Sequence, residues 1–257
     1  ISLPSLSAAG AALSARTTGA YAGVRRQFGI EIGRFEGVQE PLAALAGNAY
    51  VLDASRRLTC AGLDQGRKLA VISAILKYHA TERMRQSVND AMDVHAGKAV
   101  IDGPQNYLGA LYRAIPIGIT VEGANIMTRN LMIYGQGAIR CHPYLLEEIL
   151  ALEATDPDEG LDRSHKAFWR HVGHAIANTF RALAGGWSGG RLSRGAGVAS
   201  IDRHFRTLSR YASAFALLSD LSLLSLGGSL KFREMLSARL GDILSELYLL
   251  SAVLKRW

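Results

Sequence analysis

The stretch FEGVQEPLAALAGNAYVL, residues 35–52, decides the fold class of this chain. Its apolar side chains recur at spacings of three and four residues: Phe35, Val38, Leu42, Leu45, Ala49 and Leu52. This spacing places them on one face of an α-helix, as in a helix that faces the core of a bundle. Gly66, followed by two basic residues, indicates where the helix ends.

Helices are predicted on both sides of this stretch. Residues 4–28 form a first predicted helix, whose buried candidates include Leu6, Leu13, Val24 and Phe28. Residues 69–95 form another, with Ile72, Leu76 and His79 on one side. Its glycines and a proline make 96–109 a loop, 115–121 has weak strand-like alternation, and 124–134 is a short helix. We therefore interpret this region as all-α, an antiparallel helical bundle.

An acidic turn at 154–162 is the best internal boundary. The sequence thus predicts a bundle over residues 1–153 and a helical extension over 154–257. In the extension, 164–184 is amphipathic, 185–200 is a glycine-rich loop, and two further helices follow. The apolar run 211–226 is too short for a membrane span and contains Asp220, so we expect a packed hairpin there.

The bulk composition is that of a globular protein, with 49% hydrophobic and 20% charged residues. Because the chain does not begin with Met and ends inside a helical pattern, we expect it to be a piece of a longer polypeptide. Cys60 and Cys141 fit free thiols in a reducing compartment. His79, His95 and His142 lack metal-ligand spacing, so we expect them to be structural and predict no metal site.

The net charge of +7 is concentrated in residues 163–210, which hold nine basic residues and one acid, Asp202. The basic residues are Arg163, Lys166, Arg170, Arg181, Arg191, Arg194, Arg203, Arg206 and Arg210. Such a block indicates an anionic partner, for example a membrane surface, or else a solvated face that acidic groups elsewhere neutralise. Few aromatic residues are interleaved with it and no recognised motif is present, so a nucleic-acid partner is not expected.

One carboxylate stands alone in an otherwise uncharged run, Ile119-Thr120-Val121-Glu122-Gly123-Ala124-Asn125-Ile126-Met127-Thr128. Desolvation there would favour the protonated form of Glu122, and a desolvated Glu beside a glycine suits a general base at carbon. The simpler alternative is a partly buried Glu at a helix start, where the helix dipole favours negative charge.

The order of four segments carries a family resemblance. Arg25-Arg26-Gln27-Phe28-Gly29 comes first, Asp93 to Gly97 second, Tyr112-Arg113 third, and Val121-Glu122-Gly123 last. This series resembles the C-terminal half of the acyl-CoA dehydrogenase family. The wider phrases at 77–82, 121–129 and 133–143 are similar to the long bacterial fatty-acyl-CoA dehydrogenases, which carry an additional helical C-terminal region.

The resemblance implies α,β-dehydrogenation of a medium- or long-chain fatty acyl-CoA in fatty acid β-oxidation, with FAD as the cofactor. It implies that Glu122 removes the α proton and that its backbone N–H helps to hold the thioester oxygen. Gly123 would allow the backbone to approach the substrate closely. Relatives often carry Thr after Glu-Gly; here that residue is Ala124, and Asn125 would compensate for the lost hydroxyl contact to the flavin.

By the same resemblance, Arg25 and Gln27 reach the FAD diphosphate of a neighbouring subunit, and Phe28 packs near the cofactor. An arginine fork suits a diphosphate because several donors meet several oxygens. From the sequence alone, the simpler interpretation of Arg25 and Arg26 as an ordinary solvated helix end is favoured.

The glycine-rich turn departs from the family pattern at Asp93, where relatives carry Gln, and at Ala96, where they carry Gly. A carboxylate that faces a diphosphate is repulsive unless a cation intervenes, so a direct contact from Asp93 is not expected. Gly97 is the position of this turn that transfers to the cofactor site.

Two functions of different classes remain. One is a fragment of a flavin-dependent dehydrogenase, with electron-transfer flavoprotein or an equivalent acceptor and a homo-oligomeric assembly as its implied partners. The other is a non-catalytic helical module that docks on an anionic membrane or a protein. A solvent-shielded Glu122 would favour the enzyme, and an exposed Glu122 the module. The expected location is the cytoplasm, including the inner face of the cell membrane.

Overall fold

The computed structural model describes residues 1–193 and 195–257, and these residues are almost entirely helical, which confirms the all-α prediction. They form two compact units: residues 1–128 with Arg256, and residues 129–255 with Trp257. The sequence placed a boundary after residue 153 instead. The helix over Leu145–Leu152 packs against the helix over Pro157–Trp187, which begins inside 154–162, so the compact units do not divide there.

Three long helices build the first unit: α1 (Ser2–Val24), α2 (Glu36–Asp64) and α3 (Ala70–His95). Each of them packs against the other two. A single turn, α4 (Gly97–Val100), lies in the predicted loop, and α5 (Tyr107–Thr120) packs on α3. The result is a helical bundle whose third helix contacts every other long helix of the unit.

The stripe that predicted α2 faces the core. Leu45 and Leu52 are fully buried, and the other members of the stripe are half-buried. The helix ends at Asp64, and Gly66 follows with φ of 73°, a conformation in which glycine has no steric penalty. Both the helix and its end are where the sequence predicted them.

Helix α1 packs through small side chains rather than large ones. Its buried residues include Ala8, Ala11, Ser14 and Ala22, whereas four predicted core residues are exposed: Leu6, Leu13, Val24 and Phe28. The prediction of these four as core residues was wrong. Small side chains let helix axes approach closely, so α1 turns its small-residue face, not its leucine face, toward α2 and α3.

The predicted first helix ends early, and the predicted strand is absent from the described residues. After Val24 the chain forms a two-stranded hairpin, β1 (Arg26–Gln27) and β2 (Ile30–Glu31), followed by a 3-10 turn over Ile32–Arg34. Residues 115–120 continue α5. Leu111, Ile115 and Ile119 pack in one cluster, so spacing of four residues determined the structure, and the alternation was incidental.

The second unit begins within a π-helix over Thr128–Gln136, which with α6 (Asn125–Met127) replaces the predicted short helix. The remaining helices are α7 (Gly137–Arg140), α8 (Leu145–Leu152), α9 (Pro157–Trp187), α10 (Ala199–Leu226) and α11 (Glu234–Arg256), with a 3-10 turn over Gly227–Phe232 before α11. Tyr134, Leu230 and Leu240 form its buried core cluster.

Helix α9 contains the predicted amphipathic segment, whose apolar stripe is Phe168, Val172, Ile176, Phe180 and Leu183; Val172 is half-buried, and the other four are exposed. Phe168, Ile176, Phe180 and Leu183 are 51–69% exposed, and the residues that α9 buries are small or polar. Within the described residues, most of the stripe is therefore not part of a buried core. The segment Ala199–Leu230 is long and apolar enough to cross a membrane by composition, which is weak evidence because the core helices of soluble proteins pass the same test.

Candidate functional site

The Glu122-Gly123 turn follows the C-terminus of α5 directly. Glu122 has φ of 54° and Gly123 has φ of 92°, so both lie in the left-handed region. Glycine adopts this conformation freely, whereas a glutamate there is strained and persists only where its surroundings hold it. The sequence predicted a flexible glycine beside a carboxylate, and the structure adds that the carboxylate residue itself is strained.

Lys77 of α3 holds this turn from inside the protein. Its Nζ donates to the carbonyl oxygens of Gly123 at 2.7 Å and Ile119 at 3.3 Å, and to Oδ1 of Asn125 at 2.7 Å. The Lys77 side chain is buried, and burial lowers the pKa of its ammonium, while the carboxylates of Glu122 and Glu82 partly oppose that shift. Three acceptors thus fix one buried cation against the turn.

Asn125 is part of this anchor and not an open cofactor ligand. It is buried, its amide donates to Oγ1 of Thr81 at 2.9 Å and to Oε1 of Glu82 at 2.8 Å, and its carbonyl oxygen accepts from Lys77. Both donors of the amide are in use. The expected side-chain contact from Asn125 to a flavin is therefore wrong for this arrangement.

Glu122 is exposed, and so is its neighbour Val121. The expectation that this chain would desolvate the carboxylate was wrong, because the turn projects beyond the end of α5 instead of packing under it. The structure therefore pairs a backbone that is held from within with a carboxylate that faces outward.

The predicted cofactor residues of the first third of the chain lie in one open groove of about 1070 Å³. Arg25, Gln27 and Phe28 come from the hairpin, and Gly97 from the turn after α3. Phe28 and Gly29, with φ of 51° and 85°, form the two-residue loop of the hairpin, the geometry of a type I′ turn. This turn presents the Phe28 ring almost fully to solvent.

The groove has the chemistry of an anion site with an apolar wall. Arg25, Gln27 and Lys98 line it with hydrogen-bond donors, and Ile32, Phe35 and Val38 line it with apolar surface. Asp93 and Asp102 also line it, and their carboxylates oppose an anion, although that of Asp102 pairs with Arg113 at 3.1 Å. The residues fit a dinucleotide, with the departure at Asp93 that the sequence revealed.

His95 supports the groove and is structural. Nδ1 lies 2.7 Å from the carbonyl oxygen of Ala91, Nε2 lies 2.5 Å from the hydroxyl of Tyr107, and the ring stacks on Tyr21. Burial lowers the pKa of His95; the bond to Ala91 works against this shift, and the charge of Lys98 adds to it. A neutral imidazole with both nitrogens engaged agrees with the interpretation of this histidine from the sequence.

Three residues other than glycine have a positive φ in the described part of the chain: Phe28, Ala96 and Glu122. Two of them line the groove and the third is the candidate base. Strained backbone of this kind collects at functional sites. The strain thus marks the two places that the sequence motifs selected.

Sequence reasoning missed the role of Lys77. The signal was present, because Lys77 shares a spacing of three and four with Ala80, Met84 and Val88, which are buried on α3. A charged residue at a core position of a helix is rarely fully buried without partners. The acceptors are a turn more than forty residues away, which no local pattern shows.

The second unit holds a group that the sequence also missed. His142, His171 and Asp220 bring one donor atom each to within 4.8 Å of one another. His142 and Asp220 are 78 residues apart, so no ligand spacing could be read from the chain. The prediction of no metal site considered His142 only with His79 and His95.

Comparison with known proteins gives two adjoining family matches. A family model described as "Acyl-CoA dehydrogenase, C-terminal domain" matches residues 2–135. A second, described as "Acyl-CoA dehydrogenase, C-terminal, bacterial type", matches residues 139–257. Together they cover both compact units.

Individual relatives share parts of the chain. A 3-(aryl)acrylate reductase of Clostridium sporogenes (strain ATCC 15579) is 30% identical over 110 residues, 41% of this chain and 27% of that protein. The crystal structure of an acyl-CoA dehydrogenase complexed with FAD from Bacillus anthracis matches 98% of this chain and 40% of its own, with a TM-score of 0.72 and 17% identity. An FAD complex of PigA matches 54% of this chain and 35% of its own, with 26% identity and a TM-score of 0.48. The chain spans less than half the length of these relatives.

Proposed function

This chain belongs to the acyl-CoA dehydrogenase family, and from that premise we propose that it is the C-terminal helical part of a flavin-dependent dehydrogenase of fatty acyl-CoA. The observation that carries the proposal is the strained Glu122-Gly123 turn, which Lys77 fixes from below at 2.7 Å. A carboxylate on a backbone that is held so firmly is positioned before the substrate arrives, as general-base catalysis requires.

In this proposal Glu122 takes the α proton of the thioester. The electron pair of that C–H bond forms the α,β double bond as a hydride leaves the β carbon. FAD, when bound, supplies the acceptor for the hydride. The Glu122 N–H would stabilise the negative charge that develops on the thioester oxygen. Lys77 acts as a positioning residue, because it holds the carbonyl of Gly123 and not the substrate. Asn125 supports it, because its Oδ1 accepts a hydrogen bond from Lys77 Nζ.

The groove is the proposed FAD contact. The Arg25 fork and the amide of Gln27 would hold diphosphate oxygens, Phe28 would pack on the cofactor, and Gly97 would let the backbone come close. None of the residues that line the groove belongs to the Glu122 turn. This agrees with a groove that serves the FAD of a neighbouring subunit. The proposal therefore includes a homo-oligomer.

The substrate proposal is a medium- or long-chain fatty acyl-CoA in β-oxidation, with electron-transfer flavoprotein or an equivalent acceptor. The 3-(aryl)acrylate reductase relative supports a wider substrate class, since its name describes reduction of the same kind of double bond. A carboxyl that removes an α proton in one direction returns it in the other. Assays in both directions, with saturated acyl-CoA and with an arylacrylate, separate the two substrate classes.

The exposed Glu122 favours a second candidate, a non-catalytic module that docks on an anionic membrane or a protein. The exposed stripe of α9 supports the same candidate, and it would place the protein at the inner face of the cell membrane. Ion pairs weaken the electrostatic part of that case: Lys166 pairs with Asp162 at 2.6 Å, and Arg170 with Glu147 at 3.7 Å. Arg194, which the sequence included in the basic block, lies outside the described residues.

Glu122→Gln in the full-length polypeptide that carries this chain tests the enzyme directly. FAD content should be unchanged, and the rate of flavin bleaching by acyl-CoA should fall by about 10²–10⁴, the usual effect of losing a general base. Glu40→Gln, at an exposed position of α2, is the matched control and should bleach normally. Normal bleaching in Glu122→Gln would remove the base assignment, and absence of FAD from the wild type would favour the module.

A further inference from the structure

Four polar side chains of the second unit converge on one buried point. His142 lies in the turn between α7 and α8, His171 on α9 and Asp220 on α10, and Glu148 of α8 stands behind His171. The side chains of His142, His171 and Asp220 are 8%, 24% and 12% exposed. Neither of the two candidate site regions in residues 1–128 uses any of them.

The geometry is close to that of a tetrahedral metal site. Nε2 of His142 lies 3.0 Å from Oδ1 of Asp220, and Nε2 of His171 lies 3.8 Å from the same oxygen. Ligands at about 2.0–2.1 Å from a zinc ion lie roughly 3.4 Å apart at the tetrahedral angle. The two separations from Asp220 fall on both sides of that value, and all three donor atoms lie within 4.8 Å of one another.

The surroundings of His171 favour a cation between its Nε2 atom and Asp220. Nδ1 of His171 lies 2.9 Å from Oε1 of Glu148, so this nitrogen carries a proton and donates it to the carboxylate. In the neutral ring, the lone pair of Nε2 then faces the Asp220 carboxylate, which is repulsive. A cation between the two groups removes the repulsion, and a carboxylate behind a ligating histidine is the usual second-shell partner of a metal.

One of the two carboxylate oxygens of Asp220 is available to bind a metal ion. Its Oδ1 accepts from His142, while its Oδ2 is buried and has no hydrogen-bond partner among the described residues. A buried carboxylate oxygen without a partner is costly, and a metal ion would satisfy it. Beside it is a cavity of about 220 Å³ whose lining includes His142, His174, Cys141 and Phe215, so a further coordination position would open on space for water or a small ligand.

We propose that His142, His171 and Asp220 form a binding site for a divalent transition metal of the zinc type. Two imidazoles and one carboxylate favour such ions over Ca²⁺ and Mg²⁺, which prefer oxygen ligands. The Glu148 carboxylate orients His171, and the fourth ligand comes from the cavity. The site does not depend on the proposed dehydrogenase function.

The hydrogen bonds of His142 limit the affinity of the site for a metal ion. Its Nδ1 accepts from the N–H groups of Leu145 at 3.1 Å and Tyr144 at 3.3 Å, so in the metal-free protein the proton sits on Nε2 and points at Asp220. Metal binding moves that proton to Nδ1 and gives up the two long hydrogen bonds. We therefore expect affinity below that of a structural zinc site and loosening of the first turn of α8.

The test is metal titration of the full chain after treatment with a chelator. Co²⁺ should bind with one ion per chain and show the visible bands of a four-coordinate ion, and Zn²⁺ should displace it. His171→Gln should lower affinity at least 100-fold, and Glu148→Gln 10–100-fold, the usual range for a second-shell partner. His204→Gln, at an exposed position of α10, is the matched control and should bind as the wild type does.

Several outcomes would overturn the site: no stoichiometric binding, retention of binding in His171→Gln, or equal loss in His204→Gln. An NMR titration that finds His171 as an imidazolium, with no response to Zn²⁺, would do the same. Circular dichroism of His171→Gln checks that the helices are intact. FAD content should be the same in all these variants, so failure of the metal site and failure of the dehydrogenase proposal remain distinguishable.

Discussion

Helix α3 in the first unit and helix α9 in the second are both long, but they bury different side chains. α3 buries Ile75, Leu76, Met84 and Val88 along its length. α9 buries four residues, Gly160, Ala167, Asn178 and Gly185, and exposes its aromatic and aliphatic stripe. A helix that is buried on its apolar face is positioned by its own chain, whereas an exposed apolar stripe marks an interaction surface.

Backbone strain follows the same division. The non-glycine residues with positive φ in the described structure all belong to residues 1–128. Strain persists only where the surrounding packing over-determines the backbone, and the first unit provides such packing. This difference agrees with the proposal that the first unit positions the chemistry and the second unit contacts a partner, and four experiments test that proposal.

Among these four experiments, the largest effect is expected for Lys77→Met. The change removes the buried cation that holds Gly123 O and Asn125 Oδ1, so the Glu122 turn loses its anchor. Small misplacement of a reacting group lowers rates by about 10², and we expect that loss in flavin reduction with FAD still bound. Leaving buried acceptors unpaired should also destabilise the protein by about 1–3 kcal/mol.

Stopped-flow reduction and chemical denaturation measure these two effects separately. Lys68→Met is the matched control, because Lys68 is exposed just before α3, and it should change neither. Lys77→Met with normal turnover would show that the turn keeps its geometry without the lysine. The distinction between a preorganised unit and a docking unit would then lose its main support.

Arg25→Ala tests the groove. Loss of charge-assisted hydrogen bonds worth about 1.5–3 kcal/mol should weaken FAD retention by roughly tenfold or more. Flavin absorbance after gel filtration measures the retention, and the helical signal should be unchanged because Arg25 is exposed. Arg16→Ala, on the exposed face of α1, should retain FAD as the wild type does. Full occupancy in Arg25→Ala would refute the cofactor role.

A vesicle experiment tests the second unit. We predict weak binding to anionic but not neutral vesicles, with a decline as salt shortens the screening length to about 10 Å at 0.1 M. The double variant Lys166→Glu, Arg170→Glu should bind several-fold less, a moderate effect because both cations already have acidic neighbours. Sedimentation with vesicles measures it.

The control for the vesicle experiment is the charge-matched variant Lys68→Glu, Arg113→Glu in the first unit. Arg113 is also paired, with Asp102 at 3.1 Å, so the two variants change similar environments. Equal sedimentation of both variants, or none of the wild type, would leave the α9 stripe as a surface for a protein partner. The α9 stripe is exposed in either case, so this result would change only the kind of partner proposed for it.

Sequence patterns predicted what is local or ordered along the chain. The α2 stripe, the end of α2 just before Gly66 and the grouping of Arg25 with Gly97 all follow from spacing and from the order of motifs. The alternation at 115–121 suggested a strand, but residues 115–120 are helical. In a short isoleucine-rich run, apolar residues that are two apart also include pairs that are four apart, so the pattern does not distinguish a strand from a helix. Sequence patterns also failed for α1, where small residues rather than leucines form the buried face.

Sequence patterns did not predict the contacts between elements that are distant along the chain. Lys77 meets Gly123 across 46 residues, and His142 meets Asp220 across 78. Each partner alone looks like an ordinary helix or turn residue. The exposure of Glu122 was also unpredictable, because the apolar run around it describes neighbours in sequence and not the position of the turn beyond α5.

The smallest expected effect concerns Ala96, which has φ of 51° and ψ of −132° where the family pattern has glycine. This conformation lies near a region that glycine enters freely and alanine does not, and strain of this kind costs about 1–3 kcal/mol. Ala96→Gly relieves it but gives the unfolded chain more freedom, which offsets about 0.4–1 kcal/mol. We expect a net stabilisation of about 0.6 kcal/mol, the difference between the lower ends of these two ranges.

Chemical denaturation followed by circular dichroism measures this change. Ala43→Gly, at an exposed position inside α2, is the opposite control and should destabilise by about 1 kcal/mol, because no strain is relieved there. If Ala96→Gly destabilises as much as Ala43→Gly, the turn after α3 is not strained. The first unit would then lose one of the three positions that distinguish it from the second.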